Sequence, residues 1–141
     1  DYAWTASAFI RLYEVSFETH WITLAKQLTD YGVKEFFNDK TSLFYYTKRS
    51  SGLVLRKTEI SDDAIPSSNA VFAKVLFTLG TVYDDTMYSH KAIRMYQSVA
   101  PRVMKTPRYF LQWSSFASFL SAKNYEVVIM GKEAIQKLLT Y

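Results

Sequence analysis

The chain has 141 residues, 49% of them apolar and 17% aromatic, which excludes a disordered polypeptide and calls for an extensive core. It has no cysteine, so disulfides, thiolate nucleophiles and sulfur metal sites are excluded. The net charge of +4 comes from 17 basic and 13 acidic side chains scattered along the chain rather than gathered on one face, so no nucleic-acid interface is expected, and no apolar run approaches the ~20 residues that span a membrane.

The opening Asp1-Tyr2-Ala3-Trp4 lacks the basic and apolar regions of a leader peptide, and a cytoplasmic setting is the expectation. With only 4 Gly and 3 Pro, long helices are favoured. Residues 2–15 read as a helix with Tyr2, Ala6, Phe9, Ile10 and Tyr13 on one face. Ala3, Leu12 and Val15 make its other side apolar too, which predicts burial on more than one side. Residues 19–36 form an amphipathic outer helix with Trp21, Leu24, Ala25, Leu28 and Tyr31 inward and Lys26, Gln27, Asp30 and Lys34 outward.

Asn38-Asp39-Lys40 signals a turn, and two β-prone runs, 43–47 and 53–56, flank Ser50-Ser51-Gly52 and predict a small β-hairpin over 43–56. A polar loop over 60–68 leads into a third helix at 67–82. Asp84-Asp85-Thr86 caps a fourth, 86–104, whose apolar face is Tyr88, Ala92, Met95, Val99 and Val103 and which Pro101 should bend or end. Thr106-Pro107 opens a fifth helix with Phe110, Trp113, Phe116, Ala117 and Leu120 on one face. A short strand near 126–130 and a terminal helix over 132–141 complete the reading.

Setting residue n beside n+67 reveals a repeat. Ala3 meets Ala70, Ala6 meets Ala73, Leu12 meets Leu79, Val15 meets Val82, Trp21 meets Tyr88 and Ala25 meets Ala92. Each unit is an inner helix, a turn and an outer helix, and the fifth helix opens a third unit. Such hairpins bury a continuous core only by stacking on neighbours. The chain thus divides into two to three helical hairpins over 1–123 and the start of a C-terminal strand and helix segment over 124–141.

Three motifs carry a family resemblance. They are the Asp-Tyr-Ala-aromatic start at 1–4, the Arg…Asp-x-Ala-x-Pro-Ser-x-Asn segment over 56–70, and Glu-x-Val-Ile-x-Gly over 126–131. In these the chain resembles the helical part of the spermatogenesis-associated, thioredoxin-domain-containing proteins. The family's Gly after Pro-Ser is Ser68 here. The resemblance implies a mainly α fold in which the hairpins form an arc of an (α/α)6-type toroid, like N-acylglucosamine 2-epimerase and the six-hairpin glycosidases. It also implies further hairpins and a thioredoxin-like domain upstream in a full-length protein.

In such a toroid the offset places Asp1 and Ser68, and Tyr2 and Asn69, at the same end of adjacent inner helices. Free N–H groups and a positive dipole at those ends suit a polyol or an anion, and Asp, Ser and Asn are also the ordinary N-capping residues. The candidate ligand-binding residues are Asp1, Tyr2, Trp4, Arg56, Ser67 and Asn69, with Arg56 and Lys57 suited to an acidic group. Glu59, Asp62 and Asp63 in the adjoining loop are the candidate acid–base carboxylates, or else a solvated loop with local ion pairs. Trp21 and Trp113 read as core, with Trp4 near the rim. The resembling epimerases use histidines as acid and base, but His20 and His90 fall near the opposite turns and read as ordinary turn or helix-start residues; no metal or cofactor is expected. Two functions remain open at this stage: a sugar- or sugar-phosphate-binding or -modifying toroid, and a non-catalytic scaffold for a thioredoxin-like domain or a protein partner.

Overall fold

A computed structural model describes residues 1–48, 50, 52, 55–122, 131 and 133. The strand expected at 126–130, the terminal helix at 132–141 and Leu53 and Val54 of the expected hairpin fall outside the described residues, apart from Gly131 and Glu133. The described chain is mainly helical, with one two-stranded antiparallel sheet.

The first unit is α1 (Tyr2–Ser16) followed by α2 (Thr19–Phe36). α1 contains no Gly or Pro and stops where Phe17 turns left-handed (φ 56), its N–H donating to the Tyr13 carbonyl at 2.8 Å. The second unit is α3 (Ser68–Val82) followed by α4 (Thr86–Lys105), and its turn contains Asp84 at φ 51. Phe17 and Asp84, like Thr19 and Thr86, are one repeat apart, so the 67-residue period reaches the backbone conformation of the turns.

α1, α3 and α5 (Leu111–Ser121) lie side by side as an inner layer, with α2 and α4 outside. Ser67 caps α3 by accepting from the Ala70 N–H, and Asp85 caps α4 by accepting from the Met87 N–H at 2.9 Å. All five residues of the expected α4 face are buried. The outer helices are clamped by Tyr88, which donates its hydroxyl to the Asp30 carboxylate, while Lys26 reaches Asp30 at 2.9 Å and the Tyr88 oxygen at 3.2 Å. Burial, then the bond to Asp30, pushes the Tyr88 phenol up to about 12, and the same cluster holds the Lys26 ammonium well above its usual range.

Three expectations are corrected. α1 is not buried all round: Ala3 is, but Leu12 (42% exposed) and Val15 (81%) face outward, because among the described residues no neighbour covers that side. The strand over Leu43–Phe44 (β2) pairs with Phe37–Asn38 (β1), a partner the sequence did not suggest, and Leu53 and Val54 of the expected second run lie outside the described residues. Asn38 accepts from the Lys40 N–H, and Ser42 closes the turn at positive φ. Just beyond that second run, the Tyr46 N–H donates to the Lys57 carbonyl at 2.8 Å. α4 runs through Pro101 to Lys105, close to the expected 86–104. The fifth helix starts at Leu111, because Pro107–Tyr109 forms a single 3-10 turn first.

Candidate functional site

The β-turn, the loop leading into α3 and the N-termini of α1, α3 and α5 meet at one end of the inner layer. The loop has no regular structure, yet its backbone is tied down at successive points. Lys57 is held by Tyr46, and the Glu59 carbonyl accepts from the Asn69 side chain at 2.8 Å. The Ile60 carbonyl accepts from the Trp113 indole at 2.8 Å, and the Asp62 N–H donates to the Tyr109 carbonyl at 2.8 Å.

Asn69 and Asp62 explain why these residue types stand here. Asn69 is buried, and its amide works as an extra strand edge: its oxygen accepts from the Phe44 N–H at 2.7 Å and its nitrogen donates to the Phe44 carbonyl at 3.0 Å. The Asp62 carboxylate accepts from the N–H of Ser67 at 2.8 Å and from that of Gln112 at 3.0 Å. It therefore serves two helix starts, and for α5 it supplies the oxygen that the N-cap residue Phe110 lacks. Ser67 is buried and spends its hydroxyl on the α3 cap.

The remaining candidates gather around open space. Asp1, Trp4, Tyr46, Glu59, Asp63 and Ser68 are among the residues lining a pocket of about 300 Å³. Beside it, Asp1, Tyr2, Tyr46 and Ser68 border a smaller cavity of about 190 Å³ floored by Phe36, Phe44 and Phe72. Trp4 is 39% exposed and also borders a longer groove of about 650 Å³ between α1 and α3. Among the described residues, Glu59 and Asp63 have no ion-pair partner. The fixed loop backbone therefore holds two carboxylates at the wall of a pocket that carries an exposed indole.

Arg56 lies elsewhere. Its guanidinium donates to the carbonyls of Thr47 and Glu35 and stacks 4.0 Å from the Tyr45 ring centroid, which fastens the loop to the β-turn instead of facing the pocket. Lys57 is exposed and is not among the residues lining the pocket. His20 stacks on Trp21 at 4.2 Å, and His90 lies on the exposed side of α4, both away from the pocket. Among the described residues no cluster of three His, Asp or Glu side chains is arranged to hold a metal, and no helix is long and apolar enough to cross a membrane. Sequence reasoning missed Tyr46, which borders both cavities. Its signal was a large aromatic at the end of a β-prone run, facing outward where Phe44 faces inward.

The geometry thus defines stacked helical hairpins with a polar pocket at the inner-helix ends. The chain is similar to spermatogenesis-associated protein 20 of mouse (Mus musculus) and of human (Homo sapiens), 28% identical over 109 residues in each case. The match covers 76% of this chain but 14% of each relative's length, so the chain spans a small part of the proteins it resembles. This similarity supports the family indicated by the sequence motifs. No protein-family model matches the chain, and no solved structure matches it.

Proposed function

We propose that this chain is part of an α/α toroid in a longer protein, and that its pocket binds the ring of a sugar or sugar phosphate. The observation that carries the reading is the combination of Trp4, Glu59, Asp63, Asp1 and Ser68 around about 300 Å³. An indole offers an apolar face to the C–H side of a pyranose, while carboxylates and a hydroxyl accept and donate to its hydroxyl groups. The volume is at the lower end of ligand pockets and suits one ring. Any acid–base step on a bound sugar falls to Glu59 and Asp63, since both Asp62 oxygens are engaged by backbone N–H groups.

A thermal-shift screen of sugars and sugar phosphates on the full-length protein tests this. A ligand at a hundred times its Kd adds about 2.7 kcal/mol of stability. One sugar class is expected to raise Tm, and Glu59→Gln or Trp4→Ala is expected to abolish the rise. A flat screen, accompanied by retention of a thioredoxin-like domain or other protein in pull-down, would replace the sugar reading with the scaffold reading.

A further inference from the structure

The sugar pocket is one-sided in charge. Asp1, Glu59 and Asp63 line it, and no Lys, Arg or His does so among the described residues. The hydroxyl groups of a ring suit such a wall, but a phosphate or carboxylate on that ring would meet three carboxylates there and be repelled. Trp4 joins this pocket to a space of different character. It also borders the groove of about 650 Å³ between α1 and α3, where the lining cations are Arg11 and Lys74.

The two cations are not equivalent. Arg11 is committed to Glu14, another groove residue, at 2.6 Å. Lys74 is half-buried and has no ion-pair partner among the described residues. Its ammonium rests 5.3 Å from the centroid of the Phe119 ring on α5, which holds the charge at the groove without neutralising it. The 67-residue repeat gives its height in the inner layer. Lys74 is the counterpart of Ser7, three residues on from Trp4, so it stands about one helical turn, ~5 Å, beyond the indole. That step matches the reach of an ester phosphate from the ring that bears it. Ser7, level with Lys74, and Gln112 also line the groove, and both carry donors for anion oxygens.

We infer that the ligand of the sugar pocket is an acidic sugar, a phosphate ester or a uronate, whose ring lies on Trp4 and whose anionic group reaches into the groove to Lys74. The inference rests on the sugar reading and narrows it to one substrate class. Hydroxyl-rich and anionic ends of the ligand are sorted by charge, with the carboxylates on one side of Trp4 and the unpaired ammonium on the other. A lysine serves here as a compact point charge, which suits an anion of either geometry.

Calorimetric titration of the full-length protein with glucose, galactose and mannose, each beside its phosphate esters and its uronate, reads the share of the anion directly. One anionic form should bind about tenfold or more tightly than its neutral sugar, and phosphate against uronate tells which anion the groove takes. Lys74→Met keeps an apolar contact for Phe119 and should erase that preference while the affinity for the neutral sugar holds. Ser7→Asp sets a carboxylate level with Lys74 and should erase it too, with the ammonium still present. A preference retained in both variants, each melting at the wild-type temperature, would overturn the inference. Equal affinity for a sugar and its anions, lost in Trp4→Ala, would overturn it as well and leave the sugar reading standing. No binding by any member of the panel would overturn both.

Discussion

The α1–α2 and α3–α4 units share turn conformation, helix phase and the small residues at Ala3 and Ala70 or Ala6 and Ala73, yet they differ in what surrounds them. α3 is flanked on both sides and buries nine of its residues, whereas α1 is flanked on one side and buries three. Leu79 is fully buried, while Leu12, its counterpart, is 42% exposed. The units differ at their starts as well. Asn69 is locked onto Phe44 and the loop, but its counterpart Tyr2 packs its ring on Tyr31 and Phe36 and borders a cavity. Helix position in a repeat is thus set by local sequence, and burial by neighbours.

Truncating the matched leucines gives the largest contrast. In this 141-residue chain Leu79→Ala should cost about 3 kcal/mol in denaturant unfolding, and Leu12→Ala under ~1 kcal/mol. In the full-length protein the two costs should converge; a persistent gap there would mean that α1 is a true edge. Asn69→Ala comes next, at about 2–3 kcal/mol, because it strands the Phe44 N–H and two carbonyls in a buried site. Tyr2→Phe keeps the ring contacts and should change stability by less than ~0.5 kcal/mol. Comparable losses from the two would show that the helix starts are more alike than the hydrogen bonds indicate.

The smallest effect concerns Tyr88, whose counterpart Trp21 cannot ionise. The folded chain holds the Tyr88 proton up to about pH 12, while the unfolded chain releases it near 10, the ordinary value for a phenol. Its stabilisation is therefore complete below pH 10 and is lost as pH rises towards 12. Lys26 acts in the same direction. Tyr88→Phe should flatten the decline of the urea midpoint over that interval, and an unchanged slope would remove Tyr88 from the clamp.

Periodicity made most helices and the α4 core face legible, because i, i+4 and i+7 spacing survives any tertiary context. Other features depended on groups far apart in sequence. Nothing near Asn69 announces that it will pair with Phe44, and nothing near Phe110 announces that Asp62 will supply the oxygen for α5. The β1 partner of Leu43–Phe44 was missed because Phe37 and Asn38 follow directly on α2 and because the turn uses Ser42, not Gly, at positive φ. Of the candidate site, Asp1, Trp4, Glu59 and Asp63 do share a pocket, and Tyr2 borders the cavity beside it. Asp62, Ser67 and Asn69 are instead the frame that holds the pocket, and Arg56 fastens the loop from the other side.

The sugar reading depends on Trp4, and this chain carries a built-in comparison in its other two tryptophans. Trp113 is buried with its indole bonded to Ile60, and Trp21 stacks between Phe9 and His20. Fluorine NMR of the full-length protein labelled with 5-fluorotryptophan, assigned by Trp→Phe substitution and titrated with the stabilising sugar, reads all three at once. The Trp4 resonance should shift with saturation while those of Trp21 and Trp113 stay in place. A stationary Trp4 signal in the presence of a bound sugar would contradict it.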